Sequence, residues 1–573
     1  MNIIGASVLL SATGFVSLSR LKARIELSRA KHRSLAGHPR TARRFAKVLP
    51  FYEYRDDEFF GCDGADPELV GQRRQAWTRL ANEYAKRFGK SAQASSELES
   101  GISDMQFISH YRVPFQFRGP VKDQLISGSI MKATSGATVT DLDDNTFYDL
   151  TGSFGVNVFG NDLYKAWIAE GCRLAQELGP VLGAYHPTIA YNVLRLKEIS
   201  QKDEVSFHMS GTEAVMQAVR LARYHSGRTH LVRFCGSYHG WWGEVQPGVG
   251  NPSKAFETYN LKEMHARSLH VLRTRRDIAC VLVNPLQALH PNSNAPGDSA
   301  LVDSSRRASF DRQAYTTWLQ ELREVCTERG IVLIFDEVFV GFRIALGGAQ
   351  EYFGVQADLV TYGKTVGGGL PIGVLCGRAQ WMRRFRDEAP ADICFARGTF
   401  NSHPYVMGAM TCFLKHIAQA EVHALYKQQD ELWDGRAARL NHALEQQNIP
   451  VQVANFCSIW TVYYTEPSRY NWMFQFYLRL EGLALSWVGT GRLIFCLTTS
   501  DQDFAEIEKR FIKAALSMVR EGWWQTGLTL SNQGIRRTIL RESLRARLAR
   551  LAPPKLQWTK VNPATPSVVR EVR

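Results

Sequence analysis

The chain runs to 573 residues, 45% hydrophobic and 22% charged, the balance of an ordinary globular protein with room for a large core and more than one domain. Lys and Arg outnumber Asp and Glu by 69 to 55, a net charge of +14 that crowds into residues 20–47 and 536–550. No zinc-finger or RNA-binding signature accompanies those basic runs, so nucleic acid is excluded as an expected partner. The 10 cysteines are scattered, with no CxxC pair or metal-ligand spacing. That excludes a disulfide framework and a metal centre, and points to a reducing, cytoplasmic setting.

Residues 1–19 carry no charge and lead straight into the first basic run. This order suits a membrane-associated N-terminus with its positive flank on the cytoplasmic side, or else a helix packed on the protein. Residues 1–100 form an N-terminal extension. Within it, Trp77, Leu80, Tyr84 and Phe88 recur at helical spacing. Residues 101–165 open a small domain, with strand-like alternation around the turn Asp143-Asp144-Asn145. Residues 166–404 alternate strands and helices, the pattern of an α/β domain with a mostly parallel sheet. Residues 405–530 complete the small α/β domain, and residues 531–573 read as a basic helix followed by a disordered, Pro-rich tail.

Inside the large domain the chemistry gathers at strand ends. Residues 205–209 run as a strand into Ser210-Gly211-Thr212-Glu213, where a helix begins. A small, hydroxyl-rich turn at a helix N-terminus binds anions through its N–H groups, although the same four residues also make a routine helix cap. The apolar run 331–335 delivers Asp336-Glu337, and the run 357–362 ends in Gly363-Lys364 before Gly367-Gly368-Gly369. Open α/β sheets bind ligands at the C-terminal ends of their strands. A buried carboxylate and a lysine there are what pyridoxal 5'-phosphate (PLP) chemistry needs: an amine to hold the aldehyde as a Schiff base and an anion to pair with the ring nitrogen.

The order Phe335-Asp336-Glu337-Val338, Gly341-Phe342-Arg343, Gly347-Gly348-Ala349-Gln350 and Gly363-Lys364 resembles the class III aminotransferases of PLP fold type I. Within that family it is most similar to glutamate-1-semialdehyde 2,1-aminomutase. The resemblance implies a large domain with a mostly parallel seven-stranded sheet, a small α/β domain, and a homodimer with shared active sites. It implies Lys364 and Asp336 as catalytic residues and a phosphate site at Ser210, Gly211 and Thr212. Tyr238 would stack on the cofactor ring beside His239, Val338 would pack beneath it, and Gln287 would lie near it. Thr399 would reach the phosphate bound by the neighbouring subunit. Arg118, Phe154 and Asn284 are the expected substrate contacts, Asn284 standing where the family commonly has Glu. The implied activity is amino transfer between small-molecule amine and carbonyl substrates, with intramolecular transfer of the aminomutase kind as the alternative.

Overall fold

The structure is a computed structural model that describes residues 18–33, 37–111, 113–246, 250–252, 256–285, 311–485, 491–525 and 530–551. Three short strands, β1 (Met131–Ser135), β2 (Thr138–Asp141) and β3 (Thr146–Asp149), open the small domain. The expected turn joins β2 to β3. The Asp141 carboxylate accepts from the N–H groups of Asp143 and Asn145 at 3.0 and 2.9 Å, and Asp144 takes a left-handed φ of 65°.

The large domain is built on seven strands: β4 (Glu204–His208), β5 (His230–Phe234), β6 (Thr258–Leu261), β7 (Ile278–Val283), β8 (Val332–Asp336), β9 (Leu359–Gly363) and β10 (Gly373–Gly377). Their order is β4-β10-β9-β8-β7-β5-β6, with β10 antiparallel to both its neighbours and the pairings among β5 to β9 parallel. Every side chain of β7, β8 and β9 is buried, which is why these strands read as unbroken apolar runs. One face, through Leu231, Leu282 and Ile334, packs on Val215, Ala218 and Ala222 of the helix Gly211–Ser226. The other, through Phe234, Val281 and Leu333, packs on Trp318 and Leu322 of the helix Arg312–Arg329. Parallel strands aim their C-terminal ends at one edge, and the functional side chains collect there.

A hairpin, β11 (Phe385–Arg386) with β12 (Ala389–Ile393), leaves the large domain. The remaining strands are β13 (Val451–Phe456), β14 (Ile459–Tyr464), β15 (Leu483–Ala484) and β16 (Arg492–Ile494). Strand β15 pairs with β3, and β16 pairs with β14, so the beginning and end of the small domain form one body.

The N-terminal extension joins that body. On the helix Pro67–Arg87, Trp77, Leu80 and Tyr84 are buried, as is Phe88 at its C-cap, and they share one apolar core with Trp433, Trp460, Trp472 and Phe511. The Tyr84 hydroxyl donates to the Phe476 carbonyl at 2.9 Å. The helix Asn532–Leu551 docks through Glu542, whose carboxylate accepts from the hydroxyls of Tyr52 and Tyr54 at 2.9 and 2.5 Å. The first basic run lies against the large domain: Lys262 N–H donates to the Ala30 carbonyl at 2.8 Å, and Ala30 is fully buried.

Among the described residues no helix is long and apolar enough to cross a membrane. Of residues 1–19, on which the expected membrane contact rests, 1–17 lie outside the described residues, as does the tail beyond 551. All ten cysteines are free.

Candidate active site

A cavity of 440 Å³ opens at the C-terminal ends of β4, β5, β7, β8 and β9, and its wall includes Ser210, Thr212, Tyr238, His239, Asn284, Asp336, Val338 and Lys364. Five strands thus deliver to one place the residues that the sequence singles out from separate motifs.

Strand β8 ends on Asp336, and both its carboxylate oxygens are held. Oδ2 lies 2.7 Å from Nδ1 of His239, whose side chain is fully buried. Oδ1 accepts from the Val338 N–H at 3.1 Å and the Thr361 hydroxyl at 3.3 Å. His239 therefore holds the carboxylate in place. Glu337 points away from the cavity. Burial pushes its pKa up to about 8, and it accepts the Ala349 N–H at 2.7 Å, tying the Gly347-Gly348-Ala349-Gln350 motif to the end of β8.

Strand β9 ends at Gly363, and Lys364 follows with φ 52°, a left-handed conformation costly for a side chain with a Cβ. Tyr164 fixes the next residue, its hydroxyl 2.5 Å from the Thr365 hydroxyl. Burial lowers the Lys364 pKa to about 8. The Asp336 carboxylate opposes that fall, and the Arg492 and Arg343 guanidiniums add to it. The Lys364 ammonium lies 4.9 Å from the centre of the Phe339 ring. Opposite, Gly155 has φ 99°, and a Cβ there would come within 2.6 Å of Phe339, so only glycine lets this loop approach the lysine.

The residues expected to form an anion site stand at a helix N-terminus. Ser210 is the N-cap of Gly211–Ser226, its hydroxyl accepting from the Glu213 N–H at 3.3 Å, while Glu213 reaches back to the Met209 N–H at 2.9 Å. The cap leaves the first N–H groups of a helix at the cavity, an arrangement that suits an anion. A Cβ on Gly211 would stand 2.6 Å from Val338 Cγ1. Tyr238 and Val338 both face the cavity, and the Asn284 amide donates to the Tyr238 carbonyl at 3.2 Å. Asn284 thus positions the tyrosine as well as lining the site.

The sequence pattern of the class-III aminotransferases matches residues 120–515. The chain belongs to this family. A glutamate-1-semialdehyde 2,1-aminomutase from Geotalea daltonii is 30% identical over 361 residues, 60% of this chain and 78% of the relative. One from Chlorobium phaeobacteroides is 34% identical over 297 residues, 49% of this chain and 63% of the relative. Among solved structures, a β-phenylalanine aminotransferase from Variovorax paradoxus superposes with a TM-score of 0.62 at 21% identity, covering 78% of this chain and 98% of that one. A glutamate-1-semialdehyde aminomutase from Pseudomonas aeruginosa gives 0.61 at 18%, covering 79% and 100%. This class III aminotransferase is thus an enzyme of PLP-dependent amino transfer, with the fold expected from its sequence.

The residues present fit PLP. An amine, an oriented carboxylate, a helix N-terminus and the side chains of Tyr238 and Val338 line one cavity of small-molecule size. Two expected site residues, Arg118 and Phe154, are placed differently. Arg118 begins the helix Arg118–Gln124 beside the buried Phe117 of the small-domain core, and it is absent from the cavity wall. Phe154 is half exposed in a strained turn with φ 56°, and it is Val156, two residues on, that lines the cavity. Thr399 is exposed in the loop before the helix Pro404–Ile417 and does not line the cavity of its own chain. Gln287 lies outside the described residues.

The guanidinium that does line the cavity is Arg492, brought in by β16 from about 130 residues beyond Lys364. Sequence reasoning missed it because no motif surrounds it. Arg343, from the Gly341-Phe342-Arg343 motif, is fully buried and donates to the Asn157 and Phe495 carbonyls, each at 2.8 Å. It ties the loop beside Lys364 to the small domain.

Proposed function

We propose that this class III aminotransferase moves an amino group between a carboxylate-bearing amine and a separate aldehyde or ketone. The observation that carries this reading is the convergence of Lys364, the His239-oriented Asp336 and Arg492 on one cavity. Bound PLP supplies a carbonyl that captures amines and a ring that withdraws electrons from the substrate carbon. Asp336 holds a negative charge where the ring nitrogen would lie, and His239 keeps it aimed there. Tyr238 and Val338 clamp the ring plane, and Ser210, Gly211 and Thr212 offer the phosphate their N–H and hydroxyl groups. Lys364, its pKa lowered to about 8, has a larger neutral fraction near physiological pH than an exposed lysine and serves as the base that takes and returns the substrate carbon's proton at Nζ. Arg492 meets the substrate carboxylate.

The assembly we infer is a homodimer in which Thr399 of each subunit serves the other's phosphate. In support, Thr399 stands in an exposed loop with Phe395 and Phe400, apolar side chains that are 70% and 50% exposed in the single chain. Membrane contact through residues 1–19 stays a proposal of the sequence alone. The free cysteines agree with a reducing compartment.

The first test is the visible absorption of the purified holoenzyme with glutamate or alanine, and then with an aldehyde acceptor, beside Lys364→Ala. A cofactor band that a separate amine removes and an acceptor restores supports intermolecular transfer. Turnover confined to a diamino or amino-aldehyde compound establishes the second reading, the intramolecular transfer named for the sequence relatives. Wild-type behaviour in Lys364→Ala would overturn both.

A further inference from the structure

A second cavity, of 380 Å³, lies between the N-terminal extension and the small domain and shares no described wall residue with the cofactor cavity. Its apolar wall includes Tyr84, Val121, Leu125 and Phe476, and four charged residues line it: Arg479 and Glu99, which carry buried polar atoms, and the exposed Lys122 and Asp123. Arg479 is only 8% exposed, its guanidinium 4.9 Å from the centre of the Phe147 ring, and its Nε and Nη2 are buried with no partner among the described residues. Glu99 Oε1 is likewise buried and unpartnered.

A buried cation whose donors go unmade is expensive, and folds seldom keep one without a counter-anion. Here Asp141 is near enough to act on Arg479 as an opposite charge but gives it no hydrogen bond among the described residues, accepting instead from Asn145 and the turn N–H groups, while Asp143 accepts from the N–H groups of Lys90 and Ser91. The neighbouring Arg87 adds positive charge and spends its donors on Asn145 and the Leu480 carbonyl. Arg479 and Glu99 do not pair with each other across the cavity, although each lacks what the other type of group supplies.

We propose that this cavity is a binding site for an apolar α-amino acid, its carboxylate on Arg479, its ammonium on Glu99 and its side chain against Leu125, Val121 and Phe476. A planar guanidinium takes a carboxylate through two parallel N–H bonds, and a carboxylate oxygen takes one ammonium proton. The volume is that of a small-molecule pocket, and the apolar wall selects the side chain. The site is separate from the transamination chemistry, so its occupant is an effector and not the amino donor in reaction.

The test is isothermal titration calorimetry of phenylalanine into full-length holoenzyme whose cofactor has been capped with aminooxyacetate, which denies the amine the catalytic cavity. Phenylalanine binds, 3-phenylpropionate and phenethylamine each bind at least about tenfold more weakly, and Arg479→Met and Glu99→Gln each weaken phenylalanine by at least about tenfold, the loss of a charge-assisted hydrogen bond. Arg479→Met removes a buried, unpaired cation, so folding is not expected to suffer. Ser96→Trp, at the exposed rim, is the second variant: it plugs the cavity without entering the core and abolishes binding. Undetectable binding of phenylalanine at millimolar concentration overturns the proposal. So does binding that both Arg479→Met and Ser96→Trp leave intact, or binding that either one-ended analogue matches.

Discussion

Burial takes the Lys364 ammonium out of water, and its pKa falls from 10.5 to about 8 despite the Asp336 carboxylate nearby. A tenfold loss of proton affinity is worth about 1.4 kcal/mol, so carrying the charge inside costs about 3 kcal/mol. The unfolded chain keeps its proton up to about pH 10.5, so between pH 8 and 10.5 unfolding takes a proton up and stability rises with pH. Below about pH 8 the penalty is complete. Cofactor-free Lys364→Met, which keeps the length of the side chain and drops the charge, should therefore be more stable than wild type by up to about 3 kcal/mol near pH 7. Urea unfolding at several pH values checks this, and a gain that does not shrink above pH 8 would assign it to packing instead of charge. His239 offers a second residue-level test. Its bond to Asp336 is charge-assisted and worth about 1.5–3 kcal/mol, so His239→Leu should lower kcat about 10–100-fold. It should also move the pH dependence of the cofactor's visible band. Slower turnover with an unmoved band would leave His239 as filler only.

At the scale of elements, the site depends on how closely the helix Gly211–Ser226 can approach the loop after β8. The contact is between Gly211 and a single branched side chain, Val338. Gly211→Ala should force the helix N-terminus or Val338 outward by an overpacking cost of about 1–3 kcal/mol, weakening cofactor affinity about 5–100-fold. Adding Val338→Ala removes the obstructing methyl groups, and the double variant should recover part of that loss. Equilibrium dialysis of PLP measures it, and losses that simply add would rule out this contact as the cause. The same elements show what the sequence made legible. Strands β7, β8 and β9 are buried on both faces, so their apolar runs stand out; β8 ends on Asp336, and β7 and β9 lead directly into Asn284 and Lys364. Arg492 was not legible, because β16 is three residues long and reaches the cavity only through pairing with β14. Arg118 was misplaced for the same reason: proximity in sequence to the strands of the small domain says nothing about which way a helix after Phe117 carries its side chain. Helical spacing revealed that the extension has a buried face, but Trp77 meets Phe59 and Gln124 on other elements and Tyr84 meets Phe476, 392 residues on, where no local pattern could name them.

At the scale of the whole molecule, the extension is part of the small domain's core, and one buried ion pair fastens it there. Arg73, fully buried, donates to both oxygens of Asp63 at 2.9 and 2.8 Å and to the carbonyls of Phe60, Gly522 and Gln525 at 2.7, 2.9 and 2.6 Å. Its guanidinium also lies 4.4 Å from the centre of the Tyr470 ring. One side chain thus links two N-terminal helices to the segment after the helix Asp501–Arg520. Truncating it strands a buried carboxylate and three carbonyls, a loss of about 3–5 kcal/mol. Replacing the pair together by Arg73→Met and Asp63→Leu removes both charges, and such exchanges are often neutral or stabilising. The expected result is a much lower unfolding midpoint for Arg73→Ala than for the double variant, while both bind PLP like wild type below that midpoint, since neither residue lines the cofactor cavity. Thermal unfolding followed by tryptophan fluorescence suits the question, because Trp433, Trp460, Trp472 and Trp523 all lie in this shared core. A midpoint unchanged in Arg73→Ala would mean that the extension is held by its apolar contacts alone, and that the ion pair is not what makes two ends of the chain one body.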